Sequence, residues 1–318
     1  MILAQKAKSL ARKSLLKASI LGRKVLVKSL VRKNRKSVAI VSCDLWKGRV
    51  YDDLLLQNWF LKKGAAAEII SWQDETVDLE KYDVLLIGSM WGYQNFLPEL
   101  DRWFEKVDDK VVVNSLETIS KNFNKTKQFE TLKKAKLPVV ETKVVPLNGI
   151  SDFEMPEVPF VVKPAISGSG ENTFLISEEG ELEGKLELLK KINKERELLV
   201  QPYIPEISNG ELGIVMIEGK IVNAVKRFPG VLKGDPRIEP VNLRRLSDKA
   251  QDLAMKVCSL PVYRDATYLR LDVVFCQNEC KIMEVEAFEP QLYYYLLRDE
   301  AREKMLDEMT TAVLKKVA

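Results

Sequence analysis

Three carboxylates and an arginine recur at alternate positions in a short segment near the end of the chain. In residues 268–291, YLRLDVVFCQNECKIMEVEAFEPQ, two β-rich runs flank a polar loop at 277–279, and this pattern predicts a β-hairpin. Side chains alternate along a strand, so the four charged groups would share one face of the hairpin. They are Arg270, Asp272, Glu284 and Glu286.

The register of this hairpin decides which charges meet. With Cys276 opposite Cys280, the antiparallel register sets Asp272 opposite Glu284. The arginine would likewise face Glu286. The other face would be apolar and available for burial, with Leu271, Val273, Met283 and Val285.

A face that concentrates carboxylates repels itself unless a cation or the arginine neutralises it. Mg²⁺ suits such a group, because it is a hard cation that takes oxygen ligands and completes its shell with water and nucleotide phosphates. The alternative is an ordinary exposed sheet face whose charges pair across the strands. The hairpin taken alone leaves both interpretations open.

The composition excludes several kinds of chemistry. The 318 residues contain no histidine, which excludes Ser-His-Asp catalysis, Cys-His catalysis and histidine-containing zinc sites. The four cysteines show no C-x-x-C spacing, so they fit a reducing compartment and predict a cytoplasmic protein. A charged content of 30% and a hydrophobic content of 46% are ordinary for a globular chain of two or three domains.

The positive charge is concentrated at the N-terminus. Residues 1–43 hold 12 of the 50 Lys and Arg residues and no Asp or Glu, so the rest of the chain is acidic and no nucleic-acid partner is expected. Residues 1–36 form a basic arm with an imperfect apolar stripe at helical spacing. The arm could contact a membrane surface or an anionic partner, act as a targeting peptide, or be a solvated helical extension.

After the arm, short apolar strands alternate with amphipathic helices up to about residue 122. This alternation predicts a parallel sheet covered on both faces. Ligands bind beyond the carboxyl ends of such strands, which makes Asp44, Trp91, Tyr93 and Asn114 candidate substrate residues. Alternatively, Asp44 caps a helix and the two aromatic side chains pack a loop. From residue 139 onward the chain becomes β-rich, with few helices, and predicts an antiparallel α+β module.

A strand that ends in a lysine and runs into a small, hydroxyl-rich loop lies at 161–173, VVKPAISGSGENT. Glycines let backbone N–H groups approach a phosphate, and hydroxyls and lysine can bind its oxygens. The order GxxxxGK[ST] of a P-loop is absent. The candidate phosphate-binding residues of the segment are Lys163, Ser167, Ser169 and Thr173.

Further downstream, the backbone of Gln201–Ile204 could meet an adenine edge, and Glu211 could accept hydrogen bonds from ribose hydroxyls. Arg227 ends a strand, and Arg237 follows in a loop rich in Gly and Pro. Either guanidinium could neutralise a phosphoryl group or an acyl phosphate. Each of these residues, considered singly, is equally compatible with a surface position.

Taken in this order, the segments resemble the ATP-grasp superfamily over nearly the whole chain from Ser37 onward. The matching motifs are NKTKQFETLKKAKLP, VVKPAISGSGENT, QPYI, the GE that follows, and the Asp and E-x-E pair of the hairpin. The runs DVLLIGSMWGY, GDPR and EVEAFEPQL are most similar to the carboxylate–amine ligase branch that includes the D-cycloserine-forming cyclo-ligase. Glutathione synthetases are more distant relatives.

The resemblance implies a fold, a domain organisation and a set of ligands. The fold would be an ATP-grasp fold of the α/β plus α+β class, in which an N-terminal parallel α/β domain at 37–122 faces the substrate. An ATP-grasp domain would follow at 123–318, made of two α+β subdomains that grip ATP, with a small lid subdomain at about 139–206. The cofactors would be ATP and Mg²⁺.

The resemblance also assigns roles by position. Lys125 and Lys163 would contact the α- and β-phosphates, and Glu211 would hold the ribose. The adenine would be framed by Gln201, Tyr203, Ile204 and Met283. Asp272, Glu284 and Glu286 would bind Mg²⁺, where many superfamily members have Asn in place of Glu286. Arg227 and Arg237 would steady an acyl phosphate.

These roles predict an ATP-dependent ligase that joins a small-molecule carboxylate to an amine and releases ADP and phosphate. A site without a histidine base suits this reaction, because the protein needs only to position the reactants, neutralise charge and exclude water. Two alternatives are a kinase of the same fold and a nucleotide-binding regulator without turnover. A kinase would leave the phosphate on its product.

Overall fold

Three β-sheets form the framework of the computed structural model, which describes residues 35–168, 170–192, 197–228 and 237–318. The basic arm predicted at 1–36 lies outside the described residues except for its last two positions, and Ser169 lies outside them as well. Within the described ranges, no helix combines the length and the apolar character that crossing a bilayer would require.

The described helices and strands follow the order that the hydrophobic pattern predicts, except for the helix Leu116–Asn122 and for the strand Arg237–Pro240, which begins at Arg237 where a loop was predicted. The α-helices are α1 (Tyr51–Lys62), α2 (Leu97–Lys106), α3 (Leu116–Asn122), α4 (Lys125–Lys134), α5 (Glu181–Ile192), α6 (Asp248–Cys258) and α7 (Asp299–Lys315). The strands are β1 (Ser37–Ser42), β2 (Ala66–Ser71), β3 (Val84–Ile87), β4 (Val112–Val113), β5 (Lys143–Pro146), β6 (Phe160–Pro164), β7 (Phe174–Ile176), β8 (Glu197–Pro202), β9 (Glu211–Ile217), β10 (Lys220–Phe228), β11 (Arg237–Pro240), β12 (Tyr268–Cys276) and β13 (Glu279–Glu286). Helix α3 is the α-helix of the N-terminal half that the sequence pattern missed, because its seven residues are too few to show a clear apolar period.

The first sheet is parallel, with the strand order β2-β1-β3-β4, and both of its faces are covered. Val38 and Ile40 on one face pack against α1 and against the C-terminal helix α7. Ala39 and Val41 on the other face pack against α2 through Trp103. The prediction of a parallel sheet buried on both faces is therefore confirmed.

Two antiparallel sheets make up the rest of the chain. One has the order β11-β10-β9-β12-β13, and α6 covers one of its faces. The other has the order β5-β8-β6-β7 and packs on α5. The mixed parallel and antiparallel architecture confirms the predicted fold class.

The hairpin β12–β13 follows the predicted register at its open end only. Asp272 lies opposite Glu284, as predicted, and Arg270 lies opposite Glu286. The turn has two residues, 277 and 278, both with positive φ, rather than the predicted three. Cys276 therefore lies opposite Glu279, and the prediction that it faces Cys280 was wrong.

A β-bulge between these two parts of the hairpin explains how both registers coexist. The register shifts between Asp272 and Val273, and Met283 is the extra residue on the opposite strand. The bulge turns Met283 onto the face that carries Val274, so the prediction that Met283 lies with the apolar face of Leu271 was wrong. Met283 lies instead on the carboxylate face.

The outer edge of β13 is paired by side-chain amides instead of by another strand. Gln128 of α4 donates to the carbonyl of Val285 (2.7 Å) and accepts from its N–H (2.8 Å). Asn122 of α3 donates to the same carbonyl (2.8 Å) and accepts from the N–H of Ala287 (2.8 Å). These amides satisfy buried edge groups that would otherwise be costly, and they fix the strand that carries two of the carboxylates.

A third buried amide joins the parallel sheet to this hairpin. Asn114 follows β4 and donates to the carbonyls of Tyr268 and Ala287, both at 2.8 Å. Its oxygen accepts from the N–H of Thr267 at 2.7 Å. Asn114 is thus occupied in holding two sheets together, although the sequence made it a candidate for the substrate pocket.

We expect Gln128→Leu to destabilise the fold by about 2–4 kcal/mol. Leucine removes the two hydrogen bonds of Gln128 to Val285, so a buried N–H loses its acceptor and a buried carbonyl loses one of its donors. Gln128 is 1% exposed, so water cannot replace the amide. Urea unfolding followed by circular dichroism measures the change.

The matched control is Glu130→Leu on the exposed side of the same helix. A surface substitution of this kind should change the unfolding free energy by no more than about 0.5 kcal/mol. Equal midpoints for Gln128→Leu and the wild-type protein would contradict the role given to the amide.

Candidate functional site

The structure brings the three predicted metal ligands together on the inner face of the hairpin. One oxygen from each of Asp272, Glu284 and Glu286 lies within 4.8 Å of the other two. Octahedral Mg²⁺ holds its ligands at about 2.0–2.1 Å, so opposite ligands lie about 4 Å apart. The observed spacing therefore fits the ion with only small side-chain movements.

Two arginines hold the most deeply buried of these carboxylates. Arg270 donates to both oxygens of Asp272, from Nε (2.9 Å) and from Nη2 (3.0 Å), and also to Glu286. Arg227 Nη2 lies 2.6 Å from Asp272 Oδ2. Burial opposes ionisation of Asp272, but the two guanidiniums outweigh it and lower the pKa of its carboxyl. Asp272 is therefore kept ionised while it is 1% exposed.

Two other carboxylates of the site, Glu286 and Glu211, bind protons more readily than isolated glutamates do. Burial raises the pKa of Glu286 to about 7, although Arg270 partly offsets the effect. Burial also raises the pKa of Glu211, in spite of Arg227. Additional positive charge nearby would favour the ionised form of both groups.

Lys125 reaches this cluster from the first turn of α4. Asn124 caps the helix by accepting from the N–H groups of Thr126 and Lys127, and it thereby fixes where the turn begins. Lys125 Nζ lies 3.1 Å from Glu284 Oε1 and donates to the carbonyl of Ser167. The lysine thus spans the gap between the carboxylates and the hydroxyl-rich loop.

Lys163 arrives from the opposite side, at the end of β6. Burial lowers the pKa of its ammonium group, while the nearby carboxylate of Glu284 raises it and the charge of Lys125 lowers it. The two lysines and Glu284 therefore share one electrostatic environment. This arrangement brings together the two lysines to which the sequence gave phosphate roles.

The loop after β6 packs between the two halves of the protein. Ser167 is buried, and its hydroxyl donates to the carbonyl of Pro164 (3.2 Å). The N–H of Thr173 donates to the carbonyl of Gly170 (3.2 Å). Gln94, which belongs to the parallel-sheet side, donates to Glu171 at 2.6 Å. The loop thus contacts the parallel-sheet side at Gln94.

Two of the residues predicted to frame the adenine belong to one hydrophobic cluster, which forms an apolar wall. They are Met283 and Ile204, and the other members of the cluster are Phe129, Val139, Val140, Leu199, Ile207, Val274 and Cys276. Gln201 is buried and donates to the hydroxyl of Thr142 (2.8 Å), and the N–H of Tyr203 donates to the carbonyl of Pro159 (3.1 Å). The bulge described above is what puts Met283 into this wall.

Arg227 connects the predicted ribose residue to the predicted metal ligands. Its Nη2 lies 3.1 Å from Glu211 Oε2 as well as 2.6 Å from Asp272 Oδ2. Among the described residues, its Nε has no hydrogen-bond partner although it is buried. The guanidinium therefore has an unused donor inside the site.

Other predicted residues lie outside the carboxylate cluster. Arg237 is exposed, pairs with Glu239 (2.8 Å) and stacks on the ring of Phe228 at 3.7 Å. Asp44 is exposed after β1. The structure does not bring either residue to the cluster.

Trp91 and Tyr93 lie where the parallel sheet meets the end of the hairpin. The indole N–H of Trp91 donates to the carbonyl of Glu289 (3.3 Å), and the ring of Tyr93 lies 4.9 Å from that of Phe288. Burial and then the charges of Glu289 and Glu284 raise the pKa of Tyr93 well above its usual value. Its position near those carboxylates is consistent with either a packing or a substrate role.

Glu289 is a member of the site that the sequence did not single out. Burial and the charge of Glu286 raise the pKa of Glu289 far above its usual range. It follows the end of β13 by three residues, so strand alternation could not place it. The spacing EVEAFE was the signal that could have indicated it.

Comparison with known proteins places both halves of the chain. The family model of the N-terminal domain of the D-cycloserine synthetase DcsG matches residues 38–114. The model of the ATP-grasp domain of prokaryotic glutathione synthetase matches residues 129–288, which is half of the chain. No curated protein matches the chain.

Solved structures share the fold at low sequence identity. The crystal structure of D-cycloserine synthetase DcsG superposes with a TM-score of 0.76 at 18% identity, covering 89% of this chain and 100% of that one. The ATP complex of the D-alanine–D-alanine ligase from Bacillus anthracis gives 0.63 at 13%, covering 89% and 97%. The ATP-grasp ligase PsnB with its minimal precursor gives 0.58 at 16%, covering 90% and 100%.

The fold, the order of the motifs and the family match agree with one another. The predicted resemblance is confirmed in both its N-terminal and its ATP-grasp parts. The chain belongs to the family of the prokaryotic glutathione synthetase ATP-grasp domain and is an ATP-dependent ligase of the ATP-grasp fold.

Proposed function

We propose that this ligase joins a small-molecule carboxylate to an amine, with ATP and Mg²⁺, through an acyl phosphate, and releases ADP and phosphate. The observation that carries this proposal is the convergence of Lys125, Arg227 and Glu284 with the other carboxylates in one site. Residues 37–122 would face the substrate, and residues 123–318 would hold the nucleotide, with a lid at about 139–206.

The charges of the site suit a nucleotide bound together with metal ions. Arg227 and Arg270 already neutralise Asp272, and Lys125 pairs with Glu284. A triphosphate whose charge is offset by divalent cations adds little net charge, so it can enter this balanced network. A bare triphosphate or a bare metal ion would upset the balance in opposite directions.

Different residues around the network would bind different parts of the nucleotide. Lys125 and Lys163 approach from two sides and would bind phosphate oxygens as point charges. Glu211 would accept hydrogen bonds from the ribose hydroxyls. The apolar wall that contains Met283 and Ile204 would pack against the adenine.

Asp272, Glu284 and Glu286 would hold Mg²⁺, which supplies a Lewis acid that neutralises phosphate charge. Glu286, in place of the usual Asn, brings an extra negative charge, and Arg270 contacts it directly. Arg270 would thus compensate for the departure from the family pattern. Its second role is to orient Asp272 through two hydrogen bonds.

The reaction balances without a histidine. A carboxylate oxygen of the substrate attacks the γ-phosphorus, and the bond from that phosphorus to the bridging oxygen breaks to give ADP. The amine nitrogen then attacks the acyl carbon, and phosphate leaves with the C–O electron pair and takes up the proton that the nitrogen loses. Arg227, whose Nε has no partner among the described residues, is placed to donate to the transferring phosphoryl group or to the acyl phosphate.

We expect ADP and phosphate to appear in equal amounts when a panel of small acids and amines, including molecules that carry both groups, is offered with ATP and Mg²⁺. Release should require both groups and should stop when EDTA removes the metal. A coupled assay for ADP and a colorimetric assay for phosphate measure the two products. Phosphate that stays on the product in the absence of an amine would identify a kinase and contradict the proposal.

We expect Glu284→Gln to lower the rate of Mg²⁺-dependent ADP release by at least about 10²-fold, because it removes one charged oxygen ligand and the partner of Lys125. Mass spectrometry of the ligated product or ADP release measures the rate, and thermal unfolding checks that the variant folds.

The matched control is Glu279→Gln, at the other end of the same strand. Its carboxylate is exposed and pairs only with Lys281 at 3.4 Å among the described contacts. Turnover by this variant should equal that of the wild-type protein. A Glu284→Gln variant that is as active as this control would remove the metal role from the hairpin.

A further inference from the structure

A small cavity lies at the carboxyl edge of the parallel sheet, apart from the carboxylate cluster of the hairpin. Its volume is about 30 Å³, and it lies between the first turn of α1, the end of β3 and the segment after the hairpin. A volume of this size is about that of one water molecule or one ammonium group. The polar residues that line it include Asp52, Asp53, Ser89, Gln291 and Tyr294.

Two adjacent carboxylates in this cavity have different surroundings. Asp53 accepts a hydrogen bond from the hydroxyl of Ser89, which in turn lies 2.7 Å from the hydroxyl of Ser42. Asp52 is 8% exposed, and neither of its oxygens has a hydrogen-bond partner among the described residues. The backbone N–H groups of 293–295 approach Asp52 and lower its pKa, but none meets hydrogen-bond geometry. Asp52 is thus a buried carboxyl group for which the described residues supply nearby backbone N–H groups but no full hydrogen bond.

A third polar atom of the cavity lacks a partner as well. The hydroxyl of Tyr294 is fully buried and has no hydrogen bond to the described residues. Leaving a buried carboxylate and a buried hydroxyl unpaired costs several kcal/mol by general estimates of about 1–3 kcal/mol or more for each group. Three oxygens of residues that line the cavity therefore make no hydrogen bond to the described residues: Oδ1 and Oδ2 of Asp52 and Oη of Tyr294.

A primary ammonium group matches these three oxygens. It carries three N–H donors, no acceptor and one positive charge, whereas a water molecule offers two donors and no charge to balance the carboxylate. We propose that the Asp52–Tyr294 cavity binds a primary ammonium group of the substrate. The assignment rests on the ligase function proposed above, for which it names the class of substrate.

The cavity and the carboxylate network of the hairpin share one loop, residues 289–291. Gln291 lines the cavity, and its carbonyl accepts from Arg270 Nη1 at 3.3 Å. Trp91 also lines it and donates to the carbonyl of Glu289. One loop thus forms a wall of the cavity on one side and contacts the carboxylate network on the other.

The chemistry of the cavity also says which nitrogen it holds. A carboxylate stabilises the protonated form of an amine, and a protonated amine has no electron pair with which to attack an acyl phosphate. The nitrogen bound by Asp52 is therefore an anchor and not the nucleophile. The substrate would carry this ammonium in addition to the reacting group, as an amino acid does when its carboxylate is phosphorylated.

Binding of methylammonium chloride to the full chain without ATP tests the proposal, followed by ligand-detected NMR at pH 8. Burial and the neighbouring Asp53 raise the pKa of Asp52 to about 7, so the carboxylate is mostly ionised at this pH. We expect saturable binding in the wild-type protein and a loss of at least tenfold in affinity in Asp52→Asn. Methanol, which has the same size and no charge, should not bind.

The matched control is Asp101→Asn, an exposed carboxylate on α2, which should bind methylammonium as the wild-type protein does. Circular dichroism checks the fold of both variants, and Tyr294→Phe is a second variant that should weaken binding by a smaller factor. Equal binding by Asp52→Asn and the wild-type protein would overturn the proposal. Displacement of methylammonium by equimolar KCl would overturn it too, in favour of an inorganic cation.

The nucleotide is absent from this experiment, so its outcome is independent of the ligase assay. Failure of every acid and amine to release ADP would count against the proposed ligation alone. Saturable methylammonium binding would still support the cavity as an ammonium site. When an accepted substrate is known, Asp52→Asn should raise its KM by at least tenfold while the KM for ATP stays the same.

Discussion

Strand β13 lies at the edge of its sheet, and the position of the active-site carboxylates depends on how that edge is paired. No further strand of the described chain lies beside it in the sheet order. Asn122 and Gln128 bond to the backbone of Val285 and Ala287, on either side of Glu286, and Pro138 and Val140 bond to Ile282. Helices α3 and α4 therefore set the position of β13, which carries two of the predicted metal ligands. The same helix α4 carries Lys125, so one rigid element positions both a cation and the carboxylate that it faces.

The buried carboxylates of this site differ in how much positive charge lies next to them. Asp272 has two guanidiniums and stays ionised, whereas Glu286 and Glu289 are short of positive charge and hold protons more tightly. Removing one member of such a network leaves another charge buried and unpaired, which is more costly than losing a surface ion pair. This dependence explains why the site needs Arg270, a residue with no direct role in phosphate binding. It also means that the protonation of Glu286 and the binding of cations are linked.

Part of the site follows from the sequence, because alternation along each strand puts Arg270 with Asp272 and Glu284 with Glu286 on one face of its strand. The bulge at Met283 is what sets Asp272 opposite Glu284. Motif order then brings in Lys125 and Lys163. Other features depend on long-range contacts that no local pattern contains. The bulge moves Met283 to the other face of the sheet. Gln128 is of a residue type that is usually exposed, so its burial could not be predicted from the local sequence. Asp52 and Tyr294 line one cavity only because two distant segments pack together, so no local pattern could predict the cavity.

The first and last parts of the described chain share one hydrophobic core. Val38 and Ile40 of β1 pack in the same cluster as Met309 and Val313 of α7. A polypeptide leaves the ribosome from its N-terminus. Helix α7 is therefore synthesised long after β1, and this face of the parallel sheet stays uncovered until then. In that interval its apolar strands would be exposed, and exposed apolar strands favour aggregation and chaperone binding during synthesis. The same cluster includes Val215, Val225 and Tyr268 of the antiparallel sheet, so the two sheets share one core, which argues against separating them as independent fragments.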